Sequence, residues 1–173
     1  DNFRPALLAE GLYYPDGQIQ DEVYVYGSFV QSKMYTAGVT CSDCHNGHSM
    51  QLLDEGNALC QRCHLPTRFD TREHHFHEPD STGASCVDCH MPEQPYMVVD
   101  PRRDHSMRIP RPALSMRLGA PDACTQCHTD KSQQWAADSV QAWYGPEKPE
   151  ESHYGELLQS GREGSPEAGA DLA

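Results

Sequence analysis

The chain has 173 residues, 37% of them apolar, with 13 prolines and 13 glycines, which favours one domain with few long regular elements and a small aliphatic core. Its formal net charge of −13 argues against a nucleic-acid-binding surface and against binding to anionic lipid, and favours docking to basic patches of partner proteins. No apolar run approaches the ~18 residues of a membrane helix, and no signal sequence is visible at Asp1.

The predicted elements are few and short. Residues 1–22 are rich in turn-forming proline and glycine. A short β-type run follows at Val23–Tyr26, and a helix is predicted over about Ser28–Ala37. Apolar residues at helical spacing predict a later helix over about Lys131–Tyr144.

The last part of the chain differs in composition. From Pro146 on it is rich in Glu, Gly, Pro, Ala and Ser. That composition is typical of a linker or a poorly ordered tail. We therefore predict one domain over residues 1–145 and an acidic linker or tail over residues 146–173.

Every cysteine of the chain belongs to one repeated motif. The eight cysteines form four copies of C-x-x-C-H, which read CSDCH, CQRCH, CVDCH and CTQCH in chain order. This motif is the attachment signature of c-type haem. The cysteines predicted to attach haem are Cys41, Cys44, Cys60, Cys63, Cys86, Cys89, Cys124 and Cys127. The histidines predicted to bind the iron from the proximal side are His45, His64, His90 and His128.

The spacing of the motif has a chemical reason. Residues three apart lie on one face of a helical turn, so two thiols held in this way can add to the two vinyl groups along one edge of a porphyrin. The histidine that follows lies beneath the ring and supplies a nitrogen to the iron. Four large apolar cofactors would also replace the aliphatic core that the composition lacks. We therefore predict a mainly irregular fold with short α-helices and little or no sheet, built around four covalently attached haem c groups.

Three other uses of cysteine fit the sequence less well. A tetrahedral zinc site needs paired C-x-x-C units or one such unit with spaced histidines, and does not require histidine directly after every second cysteine. Cysteines three apart make poor long-range disulfide staples. A thioredoxin-like redox motif is expected beside a βαβ unit, which the sequence does not indicate.

The ligand on the far side of each iron decides between two kinds of function. Two histidines, or histidine and methionine, saturate the iron and give an electron carrier, whereas an open position lets a small molecule bind. Six histidines remain outside the motifs. The predicted distal ligands are His48, His74, His77 and His105, with His75 and Met34 as lesser candidates, and His153 lies apart in the predicted tail.

Local context suggests how some of these ligands are used. His48 follows the first motif by three residues, so it is predicted to serve a neighbouring haem and not the first one. His74 and His77 are three apart and could serve two different haems. Asp104 precedes His105 and is predicted to orient its ring.

The gap before the fourth motif is basic and is predicted to be irregular. It contains five of the thirteen basic residues of an acidic chain: Arg102, Arg103, Arg108, Arg111 and Arg117. These arginines either bind haem propionates through bidentate hydrogen bonds or form an exposed basic loop, and the sequence does not decide between the two.

Four strings of the sequence resemble one known family. They are YGSFVQSKMY followed by GVTCSDCH, HHFH, the third motif through Pro92, and MVVDPRRDHS. The family comprises exported bacterial multihaem cytochromes c related to the tetrahaem cytochromes of nitrifiers and to cytochromes linked to tetratricopeptide repeats. The resemblance implies closely stacked, mostly bis-His haems, and a longer precursor with further haem motifs and helical repeats. Where many relatives carry a histidine before the first motif, this chain has Met34, so the resemblance does not assign the sixth ligand of that haem.

The leading functional hypothesis is electron transfer by a non-enzymatic tetrahaem cytochrome. We expect it in the periplasm or outside the cell, because c-type haem is attached outside the bacterial cytoplasm. Redox partner proteins or neighbouring copies would exchange electrons with it, and the resemblance implies that such chains can form filaments. The alternative is a multihaem reductase of a small nitrogen or sulfur oxyanion with one open haem. A third hypothesis is a structural module in which the haems build an assembly interface.

Overall fold

The computed structural model describes residues 8–145 and 153–165, and their regular structure is short. The helices are α1 (Val25–Phe29), α2 (Lys33–Thr36), α3 (Asn57–Gln61), α4 (Pro66–Phe69), α5 (Arg72–His75), α6 (Cys86–His90), α7 (Pro112–Leu118), α8 (Ala123–Cys127), α9 (Gln133–Tyr144) and α10 (Tyr154–Arg162), with 3₁₀ turns at Cys41–Asp43 and Thr82–Ala84. Strands β1 (Glu93–Tyr96) and β2 (Asp100–Arg103) pair antiparallel, with Glu93 opposite Arg103. A mainly irregular fold with short helices and one two-stranded sheet in these ranges confirms the predicted class.

The chain divides into two compact units, and the motifs are shared between them. The terminal unit joins the described parts of Asp1–Ser28 and Pro110–Ala173, and the central unit is Phe29–Ile109. The first three motifs lie in the central unit and the fourth lies in the terminal unit. The single domain predicted over residues 1–145 therefore contains one whole unit and part of the other.

The terminal unit is built on the packing of α7 against α9. Pro112 begins α7. The backbone N–H that proline lacks has no partner within a helix at this first position, so proline is tolerated there. Leu114, Leu118 and Ala120 form a buried cluster, with Tyr14 packed against it. On the α9 side Ala136 is fully buried, so a small side chain lets the two helices approach closely.

Helix α9 confirms the helix predicted over residues 131–144. Its N-cap is Ser132, whose hydroxyl accepts a hydrogen bond from the backbone N–H of Trp135 at 3.2 Å. This helix has 12 residues, more than any other that the structure describes. Across the described ranges, no helix combines the length and apolar character that crossing a membrane requires.

A helix also forms in the part of the predicted tail that the structure describes, residues 153–165. The carboxylate of Glu156 accepts a hydrogen bond from the His153 backbone N–H at 3.2 Å, which completes a capping box at the start of α10. Arg117 forms an ion pair with Glu156 at 3.0 Å, and the Tyr154 hydroxyl donates to the Asp16 carbonyl. The average composition of the segment concealed this helix. The rest of the predicted tail, residues 146–152 and 166–173, lies outside the described residues.

Two of the predicted elements near the N-terminus differ from the structure. The strand predicted at Val23–Tyr26 is wrong, because α1 begins at Val25 and no strand among the described residues pairs with that segment. Alternating Val and Tyr favour a strand only where a neighbouring strand completes the sheet. The helix predicted over residues 28–37 is divided into the end of α1 and α2, since the Ser32 hydroxyl accepts from the Tyr35 N–H and starts a new helix.

Candidate haem-binding sites

Each motif forms one helical turn, as its spacing requires. The third motif is helix α6 itself, and Cys60 and Cys63 lie at the end of α3 and just beyond it. In the other three motifs the histidine backbone N–H donates to the carbonyl of the first cysteine: His45 to Cys41 at 2.8 Å, His64 to Cys60 at 2.9 Å and His128 to Cys124 at 2.9 Å. The two thiols and the imidazole of each motif are thus held by a single turn.

The turns of the second and third motifs are joined by one side chain, Asn57. Its Oδ1 accepts the backbone N–H of Cys86 at 2.9 Å, which caps the N-terminus of α6 from another helix. Its Nδ2 donates to the Ala84 carbonyl at 2.9 Å and to Asp70 Oδ2 at 3.2 Å. The same Asp70 oxygen accepts a hydrogen bond from the Gln61 side chain at 2.6 Å, so this network holds both ends of α3.

This network brings the first cysteines of the two motifs into contact. A hydrogen bond from the Cys86 thiol lowers the pKa of Cys60 to about 7. The same bond, together with burial, raises the pKa of Cys86. Sequence spacing did not reveal this contact, because 26 residues separate the two cysteines (86 − 60).

The structure also describes the cysteines with respect to disulfides and to direct metal binding. All eight cysteines are free thiols. Within residues 8–145 and 153–165, no group of three or more His, Cys, Asp or Glu side chains is arranged to hold a metal ion directly. The four-ligand geometry of a structural zinc site is therefore not formed by the described cysteines.

The structure brings the proximal histidine of the first motif opposite a predicted distal one. The ring centroids of His45 and His105 lie 6.3 Å apart, and the ring planes differ by 24°. Two imidazoles that bind one metal from opposite sides, each through a metal–nitrogen bond of about 2.0 Å, hold their centroids about 6 Å apart. The spacing of this pair therefore fits one iron between the two rings.

A second pair repeats this arrangement at the third motif. The centroids of His74 and His90 lie 6.1 Å apart, with ring planes only 12° from parallel. Burial lowers the pKa of His74, and the neighbouring His90 lowers it further. The lowered pKa favours the neutral form of His74, which is the form that binds a metal.

Hydrogen bonds at Nδ1 sort the histidines by tautomer. A carbonyl can only accept, so an Nδ1 bonded to one must carry the proton and leave Nε2 for a metal. The rings held in this way are His45 on the Met50 carbonyl at 2.9 Å, His90 on Arg108 at 2.6 Å, His105 on Arg103 at 2.9 Å and His77 on His75 at 2.5 Å. Nδ1 of His75 and of His153 instead accepts a backbone N–H, which places the proton of the neutral ring on Nε2.

The remaining candidates occupy varied surroundings. The His64 ring lies edge-on to Phe69 at 5.7 Å, and the His128 ring lies 4.8 Å from Trp135. His48 is exposed on the turn that follows the first motif. Met34 is half-buried on α2. For these residues the ligand assignments stay predictions.

His77 does not share a helical face with His74, because α5 ends between them. Phe76 adopts the left-handed conformation at φ +57°, which terminates the helix. The His77 ring then packs against Gly83, where a Cβ atom would overlap ring Cδ2 and lie 2.7 Å from Nε2. The His77 ring therefore leaves no room for a side chain at position 83, and the backbone conformation there does not itself favour glycine.

Replacing Gly83 with alanine is expected to displace His77 and to lower the free energy of unfolding by about 1–3 kcal/mol, because the added methyl group overpacks the site. Denaturant unfolding measures the stability, and a new high-spin signal would report a lost ligand. Gly47→Ala is the matched control, since a Cβ there meets no atom within 4 Å. Equal stability of the two variants would contradict the close packing.

The arginines before the fourth motif largely pair with carboxylates of the chain. The ion pairs are Arg102 with Asp100 at 2.6 Å, Arg103 with Asp88 at 2.8 Å, Arg108 with Asp104 at 3.7 Å and Arg117 with Glu156 at 3.0 Å. Arg111 is exposed at the N-cap of α7. The stretch also contains β2 and α7, so it is not the exposed irregular loop that was one of the two alternatives.

The distribution of apolar side chains in the central unit fits a large apolar cofactor. Leu52 follows the first motif and is 55% exposed, and Leu65 directly follows the second and is 65% exposed. Phe29, Ala84 and Tyr96 are buried but lie far apart in sequence. Together with paired thiols and facing imidazoles, apolar surface beside the motifs is the donor and lining set that a covalently bound haem requires.

Comparisons with known proteins found one similar motif pair and one similar fold. Residues 33–69, which contain the first two motifs, match a family model described as the doubled CXXCH motif. A search of curated proteins found no match. The crystal structure of the outer cell wall cytochrome OcwA matches with a TM-score of 0.55 at 20% sequence identity, over 78% of this chain and 41% of that one.

The likeness to OcwA concerns the fold, and the chain spans less than half of that protein's length. The fold is that of a multihaem cytochrome, with short helices and irregular segments, as the sequence predicted. The doubled motif supports covalently bound haem c. The more specific resemblance to the nitrifier and tetratricopeptide-linked cytochromes stays a prediction.

Proposed function

We propose that the chain is a tetrahaem c-type cytochrome that transfers electrons and catalyses no reaction of its own. The observation that carries this proposal is the spacing of the facing rings, His45 with His105 and His74 with His90, at 6.3 and 6.1 Å. An iron bound by two histidines has no free position for a substrate, which suits an electron carrier.

Cysteines, histidines and backbone carbonyls of the chain have different roles in holding the cofactor. The cysteines would attach the porphyrin, and the proximal and distal histidines would hold its iron. Each haem, when bound, supplies a one-electron redox centre. Backbone carbonyls at Met50, Arg103 and Arg108 fix the imidazole orientations through Nδ1, so little rearrangement accompanies a change of oxidation state.

A pyridine haemochrome assay combined with intact mass tests the haem count. We expect four haems per chain, because each C-x-x-C-H copy forms a helical turn of its own. Serine at both cysteines of the fourth motif, Cys124 and Cys127, should lower the count to three. A count well below four in the unmodified chain would contradict the proposal.

The spin state of the oxidised protein separates the proposal from its alternative. Electron transfer predicts purely low-spin spectra, whereas a reductase of a nitrogen or sulfur oxyanion keeps one iron open and high-spin.

We place the protein outside the cytoplasm, in the periplasm or at the cell exterior, which suits covalent haem and the outer cell wall location in OcwA's title. The net charge of −13 favours redox partners with basic surfaces, and assembly with further copies extends the same proposal.

A further inference from the structure

One short segment, Arg103–Arg108, holds an imidazole of each of the two histidine pairs. The Arg103 carbonyl accepts Nδ1 of His105, and the Arg108 carbonyl accepts Nδ1 of His90 at 2.6 Å. The backbone N–H of Arg108 returns a bond to the His90 carbonyl at 2.9 Å. We call this segment the strap, because it spans from the distal ligand of the first motif to the proximal ligand of the third.

The strap contains an ion pair in which the Asp104 carboxylate is buried and the Arg108 side chain is 19% exposed. Asp104 is 7% exposed, and its Oδ1 accepts the backbone N–H of Ser106 at 2.8 Å. Its Oδ2 is buried, accepts no hydrogen bond from any residue that the structure describes, and lies 3.7 Å from Nε of Arg108. Arg108 also donates from Nη2 to Gln31 at 3.1 Å.

An ion pair of this kind is a weak source of stability. Removing the Asp104 carboxylate from water is costly, and its Oδ2 lies 3.7 Å from Arg108 Nε without a hydrogen bond from any described residue. The neighbouring hairpin carries a contrasting pair, Asp100 with Arg102 at 2.6 Å, whose side chains are 42% and 30% exposed. The positions of the two residues suggest another role, because Asp104 directly precedes His105 and Arg108 holds His90 through its backbone carbonyl.

We propose that Asp104 and Arg108 set the reduction potentials of the two haems held by His45 with His105 and by His74 with His90. This inference rests on the ligand pairs of the proposed function. Reduction adds one electron and removes one positive charge from the haem, so a nearby carboxylate opposes it and a guanidinium favours it. Both effects are strong in a poorly solvated setting, where charges are weakly screened.

Spectroelectrochemical titration of the full haem-loaded chain tests the pair through the sign of the shifts. In Asp104→Asn, two of the four potentials should rise, because a negative charge that opposes reduction is removed. In Arg108→Gln the same two potentials should fall. The double variant should lie between the single ones. Asp100→Asn and Arg102→Gln are the matched controls and should give clearly smaller shifts, since their charges are solvated.

The outcomes distinguish charge from structure. Shifts of the same sign in both single variants would mean that the strap only positions the ligands, and unchanged potentials would overturn the proposal. If Asp104→Asn fails to incorporate haem, Arg108→Gln decides alone, since a fall of two potentials supports the pair and a rise or no shift contradicts it. A low haem count or high-spin spectrum in the unmodified chain would instead contradict the proposed function.

Discussion

Replacing His105 with alanine is expected to convert one haem iron of the four from low-spin to high-spin. The His105 ring lies 6.3 Å from that of His45, and its Nδ1 is held by the Arg103 carbonyl, so Nε2 would be left to bind the iron that the two rings are proposed to share. Alanine leaves that side open. Electron paramagnetic resonance of the oxidised protein should show a high-spin signal equal to one haem, and carbon monoxide should bind one haem of the reduced protein.

The matched control is His75→Ala. His75 lies in the same unit and its side chain is 9% exposed, but its Nδ1 accepts the His77 backbone N–H. Removal of this ring should leave every iron low-spin. High-spin signals of equal size in both variants, or in neither, would contradict the pairing of His45 with His105.

Replacing Asn57 with alanine is expected to lower the free energy of unfolding by about 2–3 kcal/mol. Three hydrogen bonds of about 1 kcal/mol each are lost: to Cys86 N–H, to the Ala84 carbonyl and to Asp70. The first of these bonds is the one that caps the N-terminus of α6 and joins the third motif to the second. Guanidinium unfolding of the haem-loaded chain, followed by far-ultraviolet circular dichroism, measures the change.

Asn46→Ala provides the same substitution at an exposed turn. Asn46 accepts the backbone N–H groups of His48 and Ser49 at 3.0 and 3.1 Å, and solvent can replace those bonds. The loss there should stay below about 1 kcal/mol. If both asparagine variants lose equal stability, Asn57 does not join the two motifs as described.

The motifs were predictable in full because their chemistry is local. Two thiols and an imidazole within five residues need only one helical turn, and each of the four motifs forms it. Helix α9 was predictable for the same reason, since its apolar spacing and its Ser132 cap are contiguous in sequence. The strand predicted at residues 23–26 was wrong because a strand depends on a partner strand elsewhere, and the part of the chain that the structure describes supplies none for this segment.

The pairing of histidines could not be predicted from sequence, since it depends on the tertiary fold. His105 lies 60 residues after His45 (105 − 45), and nothing in the local sequence of either indicates the other. The Nδ1 hydrogen bonds that separate His77 from His75 also arise only in the folded chain. Asp104 was predicted to orient His105, but the structure assigns that contact to the Arg103 carbonyl and leaves Asp104 paired with Arg108.

The strap also has a consequence for the order in which the protein is assembled. Translocation from the N-terminus delivers His45 first, and under the proposed pairing its partner His105 arrives only after the third motif has emerged. His74, by contrast, precedes His90 and is already present when that motif arrives. Under this pairing, the centre of His74 and His90 could be completed on arrival, whereas the centre of His45 would wait with one side open. The segment that would end this wait also holds His90, so the same stretch of chain serves both centres.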